Sequence, residues 1–196
     1  MRRLAKERQA LRLFGDDASF PPWGTLSSTW ARRGHQPMVK TSGTRPGDNV
    51  FGLIDDCTGR FWYQGQEGRL NSEASIAFRT RVLAQTTPPI LLMQDGARYH
   101  TSAALPRFFA RHMERLTVCQ LPGDSPDDHP IEKLWKNVTQ EGTPLHDFPP
   151  FEALTDTVEH ALLTFANRPA DILARCSRPT ALAQAASVCL GRKSFS

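Results

Sequence analysis

The sequence predicts an α/β fold, a mixed five-stranded sheet flanked by helices, and three observations predict it. Short apolar runs of strand length recur along the first 121 positions. The first of them follow one another with only turn formers between, whereas the later ones alternate with segments of helical periodicity. Two of the runs, Leu11–Phe14 and Ile90–Met93, end close to an acid, Asp16 and Asp95.

The elements follow in chain order. Residues 1–10 (MRRLAKERQA) read as a basic lead-in or the end of a helix. Leu11 to Phe14 form a buried strand stopped by Gly15-Asp16-Asp17. Residues 37–41 and 49–54 read as strands joined by the turn SGTRPGD, and Phe61 to Gln64 continue the pattern after Thr58-Gly59. The first strand and the paired hairpin beyond it make a three-stranded meander. Ser72 can cap a helix carrying Ala74, Ile76, Phe78, Val82 and Leu83 on its apolar face. Ile90 to Met93 are fully apolar, as a strand covered on both faces must be. Ser102 opens a helix through Phe108 and Phe109, and Leu116 to Leu121 form the next strand. Pro130 fits a helix's first turn, with Ile131 to Gln140 behind it. A last amphipathic helix spans about Phe151 to Phe165, and residues 168–196 are a poorly patterned tail. The expected folded domain is therefore 11–167.

Three strands followed by helix, strand, helix, strand and helix is the order of a ribonuclease-H-like fold. That order sets the first strand beside the fourth. Acids 79 positions apart, Asp16 and Asp95, then come together, and the helix after the fifth strand can turn Glu132 toward them.

Composition excludes several classes. Apolar residues make up 39% and charged residues 22%, a globular balance. The four cysteines, Cys57, Cys119, Cys176 and Cys189, form no C-x-x-C pair, so neither a zinc site nor a disulfide framework is expected. No apolar run is long enough to span a bilayer, and Asp16 and Asp17 stand where a signal peptide would carry its apolar core. The expectation is a soluble cytoplasmic protein, with no membrane partner. A net charge of +4 suits a polyanionic partner without requiring one.

Three carboxylates converging on one point are what phosphodiester cleavage asks of a protein. They fix divalent cations, and paired cations roughly 3.5–4 Å apart clamp the attacking and leaving oxygens. Magnesium takes oxygen ligands and keeps several waters, so three acids suffice. Each acid also has a plainer reading. An acid after a strand is ordinarily a turn residue or helix cap, and Glu132 in a first turn complements the helix dipole. Asp17, Asp124, Asp127 and Asp128 compete for the role, whereas Asp55 and Asp56 read as a hairpin turn before Thr58-Gly59.

The strings LFGDDASF, ILLMQDGARYHTS and LPGDSPDDHPIEKLW closely resemble the three catalytic blocks of bacterial insertion-sequence-630 transposases, relatives of the mariner elements. GTLSSTWARRGHQPMVK and VFGLIDDCTGRFWYQGQ are similar to that family too, so the resemblance covers about 11–167. It implies a ribonuclease-H-like core with a DDE triad of Asp16, Asp95 and Glu132. It also implies two Mg²⁺ (or Mn²⁺) ions, and cut-and-paste cleavage and strand transfer of DNA. The 36 residues between Asp95 and Glu132 match the superfamily's short spacing. Asp17 stands where relatives carry Glu, His129 where they carry Asn, and Gly123-Asp124 replaces a bulkier pair. A degenerate or domesticated relative that binds DNA without cutting, and another nuclease on the same fold, are the competing readings.

DNA contacts are expected from Trp30, Arg32, Arg33 and Lys40, which mix aromatic faces with cations, from Lys133 and Lys136 beside Glu132, and from His100. Trp23 and Trp30 would serve equally as core aromatics. The family carries a helix-turn-helix ahead of its catalytic core. Only 15 residues precede Asp16, too few for two helices of about 11–12 residues each. The expected partners are thus element ends and target DNA, a helix-turn-helix segment from an upstream frame, and a second copy in a homodimer.

Overall fold

The computed structural model describes residues 2–21, 48–94, 103–121, 129–142 and 151–176. Five strands form one sheet in the order β3-β2-β1-β4-β5. They are β1 (Leu11–Phe20), β2 (Asp48–Asp55), β3 (Phe61–Gln66), β4 (Ile90–Gln94) and β5 (Leu116–Gln120). β1 pairs antiparallel with β2, and β2 with β3, which is the expected meander. On its other edge β1 pairs parallel with β4, and β4 with β5; α2 leads from the meander into β4, and α3 lies between β4 and β5. The mixed sheet is as predicted; the predicted strand at 37–41 lies outside the described residues.

Strand alternation sorts the sheet's side chains into two cores. Phe14, Phe20, Val50, Ile54, Leu91 and Met93 face one side. There α4 (Pro130–Gly142) and α5 (Phe151–Ala166) cover them, with Ala5 of α1 (Arg2–Glu7) and Ile172 of α6 (Pro169–Cys176) completing the layer. Leu13, Phe51, Leu53 and Leu92 face the other side, under Phe78, Val82 and Leu83 of α2 (Ser72–Ala84) and Phe108 of α3 (Ala104–Arg111). Both faces of β4 are buried, which accounts for its unbroken apolar run.

Three boundaries differ from the sequence reading. β1 does not stop at Asp16. It runs on to Phe20 because β2 pairs it residue for residue as far as Asp48. Its partnership with β4 does end there, at Gly15 opposite Gln94. Second, α2 is capped by Asn71, whose extended backbone lets its side chain accept from the Ala74 amide at 2.9 Å. Ser72 is already helical. Third, the tail expected from 168 onward begins with a helix, α6, whose Ile172 is fully buried.

The β2–β3 turn and α6 meet closely. Gly59 has φ +74°, and a Cβ there would lie 2.2 Å from the Pro169 carbonyl oxygen. Only glycine satisfies both the left-handed backbone and the approach of the helix. Beside it, Arg12 of β1 and Asp56 form an ion pair whose side chains are 6% and 4% exposed. The Arg12 Nε donates to Asp56 Oδ1 at 2.7 Å, and a second guanidinium nitrogen donates to Oδ2, so the pair is bidentate.

Candidate active site

Alternation along β1 separates the two adjacent acids. Asp16 lies in phase with Phe14 and Phe20 and so faces α4. Asp17 is paired with Phe51, which belongs to the opposite core, and faces the α2 side. The two neighbours therefore cannot serve one site together, and Asp16 is the one on the α4 face.

α4 reaches that face through its own pattern. Ile131, Leu134, Trp135 and Val138 recur at helical spacing and are all buried, which lays the helix on the sheet. Pro130 occupies the first turn, where its missing amide costs nothing, and the His129 carbonyl accepts from the Glu132 amide at 3.1 Å. His129 is itself buried, its ring edge-on to Phe14 at 5.9 Å between centroids. Glu132 is thereby half-buried in the first turn, beside the sheet rather than in it.

One hydrogen bond links helix and strand. The Trp135 indole Nε1 donates to Asp16 Oδ2 at 3.1 Å. The indole lies across the sheet at Gly52, the residue directly opposite Asp16 on β2. A Cβ at Gly52 would fall 2.6 Å from Cζ2 and 2.7 Å from Cη2 of that ring. Glycine at this position is what lets tryptophan reach the acid. The rings of Phe20 and Phe61 stand edge-on to the indole, at 6.2 and 6.1 Å, and fix its orientation. Trp135 is one helical turn after Glu132, so the contact that holds Asp16 also sets the position of the helix carrying Glu132.

Next along the same row, Tyr63 of β3 stands opposite Gly52, and its hydroxyl donates to Glu159 of α5 at 2.8 Å. Asp48 begins β2 and is buried. Burial, then the neighbouring Glu159 charge, push its carboxyl up to about 6. Burial first, then the hydrogen bond to Glu159 and that carboxylate's charge, raise the Tyr63 phenol.

On the far face, directly behind the end of β4, a buried polar cluster holds Gln94. Arg79 of α2 donates to Gln94 Oε1 at 3.0 Å and to the Ser75 carbonyl at 3.2 Å. Gln94 is opposite Gly15, so the register brings the residues before Asp16 and before Asp95 side by side. Asp95 itself lies outside the described residues, as do Trp23, Trp30, Arg32, Arg33, Lys40 and His100. Of the predicted DNA contacts, Lys133 is half-buried and Lys136 exposed on α4, both off its apolar stripe.

Among the described residues, Asp55, Asp56 and Cys57 bring three ligand atoms within 4.8 Å of one another. Their carboxylates are engaged elsewhere. Asp55 accepts from the Cys57 amide at 3.0 Å and the Thr58 hydroxyl at 2.7 Å, and Asp56 holds Arg12. This is the hairpin turn read from the sequence. What that reading missed is the buried Arg12 behind it, the donor on Asp16 and the Arg79 cluster. Trp135 stood in the HPIEKLW string all along, three residues after Glu132, but nothing local ties it to position 16.

Several solved structures resemble this chain in fold. A Mos1 transposase paired-end complex with its left transposon end has a TM-score of 0.55 at 13% identity over 90% of this chain. A pre-cleavage Mos1 transpososome gives 0.56 at 12% identity over 91%. The chain spans 59% of the length of each of those two proteins. The catalytic core domain of BIV integrase gives 0.51 at 10% identity, over 84% of this chain and 94% of that one. At such identities the likeness shows the fold, and these cores are ribonuclease-H-like. No curated protein matches the sequence. Residues 12–155, which span all three candidate acids and most of the chain, match the family described as DDE superfamily endonuclease. The chain belongs to the DDE superfamily endonucleases.

Proposed function

We propose that this chain is the catalytic domain of a cut-and-paste DNA transposase of the insertion-sequence-630 type, with Asp16, Asp95 and Glu132 as its metal-binding acids. The observation that carries the reading is the Trp135–Asp16 hydrogen bond, which ties the strand bearing one acid to the helix bearing another. The register of β1 and β4 supports the third, because Asp95 follows Gln94 as Asp16 follows Gly15.

The donor set fits Mg²⁺ or Mn²⁺. It consists only of carboxylate oxygens, with Asp16 on a strand and Glu132 at a helix start, and such ions take oxygen ligands while keeping several waters. Mos1 mariner paired-end complexes have been solved with Mg and with Mn. Two bound ions would supply the clamp on the attacking and leaving oxygens of a phosphodiester. The protein's own part is to orient. The buried stripe of α4 fixes Glu132, the Trp135 indole fixes Asp16, and Lys133 and Lys136 meet backbone phosphates beside the acids. Trp30, Arg32, Arg33, Lys40 and His100 extend that contact. A helix-turn-helix segment that finds the element's ends, assembly as a homodimer and a bacterial source rest on the family resemblance and belong to the same proposal.

The test is cleavage and joining of DNA carrying the element's ends, with Mg²⁺ or Mn²⁺. Wild-type protein should nick and then transfer strands; Asp16→Ala, Asp95→Ala and Glu132→Ala should each abolish both reactions while staying folded. Hydrolysis without strand transfer would identify a nuclease of the same fold instead. Metal-dependent nicking by folded Glu132→Ala would remove that residue from the site.

A further inference from the structure

We infer that Trp135 is a positioning residue for the metal site, acting through Asp16; the inference rests on the proposed role of Asp16. Its indole N–H donates to Oδ2 at 3.1 Å, and an N–H donor at that place does two things. It occupies one lone-pair direction of Oδ2 and so limits the directions from which that oxygen can meet a cation. It also fixes the carboxylate's rotation, so that less freedom is lost when an ion arrives.

The surroundings are arranged for this donor and not merely for an aromatic filler. Phenylalanine would satisfy the packing against Phe20, Phe61 and Ile131, yet it has no hydrogen to donate. Gly52 leaves open the space that the benzo edge of the indole crosses, with the nearest ring atom 2.6 Å from where a Cβ would be. Trp135 is 7% exposed, so the bond is shielded from competing water. Because the same residue stands one turn from Glu132, the donor also couples the placement of the two acids.

Loss of a group that orients a metal ligand from behind typically weakens metal affinity about 10–100-fold. The experiment measures Mn²⁺ binding to the full chain, by electron paramagnetic resonance of the free ion, beside its metal-dependent DNA nicking. Three proteins are compared with wild type: Trp135→Phe, Trp135 replaced by 3-benzothienylalanine, and Asp16→Asn. The benzothienyl side chain keeps the bicyclic shape and puts sulfur where the N–H was, so it removes the donor alone. Should Trp135→Phe melt below the assay temperature, the benzothienyl protein carries the test.

The expected result is at least tenfold weaker Mn²⁺ binding for both Trp135 replacements. Nicking should be partly restored at high Mn²⁺, with the unfolding midpoint of the benzothienyl protein near wild type. Asp16→Asn should stay inactive at any Mn²⁺ concentration. Wild-type Mn²⁺ affinity in the benzothienyl protein, with Asp16→Asn inactive, would overturn the inference and leave the proposed function standing. Active Asp16→Asn would overturn the assignment of Asp16 itself.

Discussion

Asp56→Ala should destabilise the protein severely although the residue takes no part in catalysis. The Arg12 guanidinium is 6% exposed, and Asp56 meets it through two donors. Removing the carboxylate leaves a buried cation without its bidentate acceptor, which typically costs about 3–5 kcal/mol. For a chain of this size 1 kcal/mol moves the midpoint roughly 2–4 °C, so a fall of about 6–20 °C is expected. Replacing both partners by apolar side chains of similar volume, Arg12→Met with Asp56→Leu, should recover most of that loss, because no charge is then stranded. Wild type, Arg12→Met, Asp56→Leu and the double variant form a double-mutant cycle, read by urea denaturation followed by circular dichroism. A coupling energy near zero, with Asp56→Ala within about 0.5 kcal/mol of wild type, would refute the argument, since surface substitutions of no consequence fall in that range.

Two further outcomes follow from the same geometry. Gly52→Ala forces a methyl group to 2.6 Å from the Trp135 ring; overpacking of about 1–3 kcal/mol should outweigh the gain of up to about 1 kcal/mol from removing a strand glycine, and unchanged stability with unchanged tryptophan fluorescence would contradict it. Asp48 carries a carboxyl raised to about 6 from an ordinary 3.8 by burial and by Glu159. Between those values the folded state binds the proton and the unfolded chain does not, so stability falls as pH rises through that window and the full penalty is present above it. Asp48→Asn should remove this slope and raise stability at pH 7 by on the order of 1–2 kcal/mol, allowing for solvent screening; equal pH dependence in both proteins would refute it.

Periodicity made the sheet and the helices α2 to α5 legible, because burial pattern is a local property of strand and helix. Ile90–Met93 could only be a strand covered on both faces, and the stripe from Ile131 to Val138 could only lie on a core. What escaped was set by partners distant in sequence. β1 reaches Phe20 because β2 pairs with it, a fact absent from residues 16–20 themselves. Asn71 and Ser72 are both good caps, and the backbone at Asn71 decides between them. α6 has too short an apolar stripe to announce itself, and it is Ile172 meeting the core that orders it. At the site, alternation could have separated Asp16 from Asp17 had the strand been read to its true end. The Trp135 donor could not have been read at all, since 119 positions separate it from its acceptor.

The position of β1 bears on how the molecule folds. On one edge it pairs with β2, which starts 28 positions after β1 ends, but on the other its neighbour β4 begins 79 residues after it, at Leu11 opposite Ile90. Parallel pairings of such span are slow to form, because chain closure must be met before any contact rewards it. The antiparallel meander can therefore assemble early, whereas the β1–β4 seam and the docking of α4 on Asp16 belong to the end of folding. A chain still being synthesised would hold Asp16 in a growing sheet with no Glu132 to join it. On the proposed assignment, the metal site stays incomplete until residue 132 has emerged and packed.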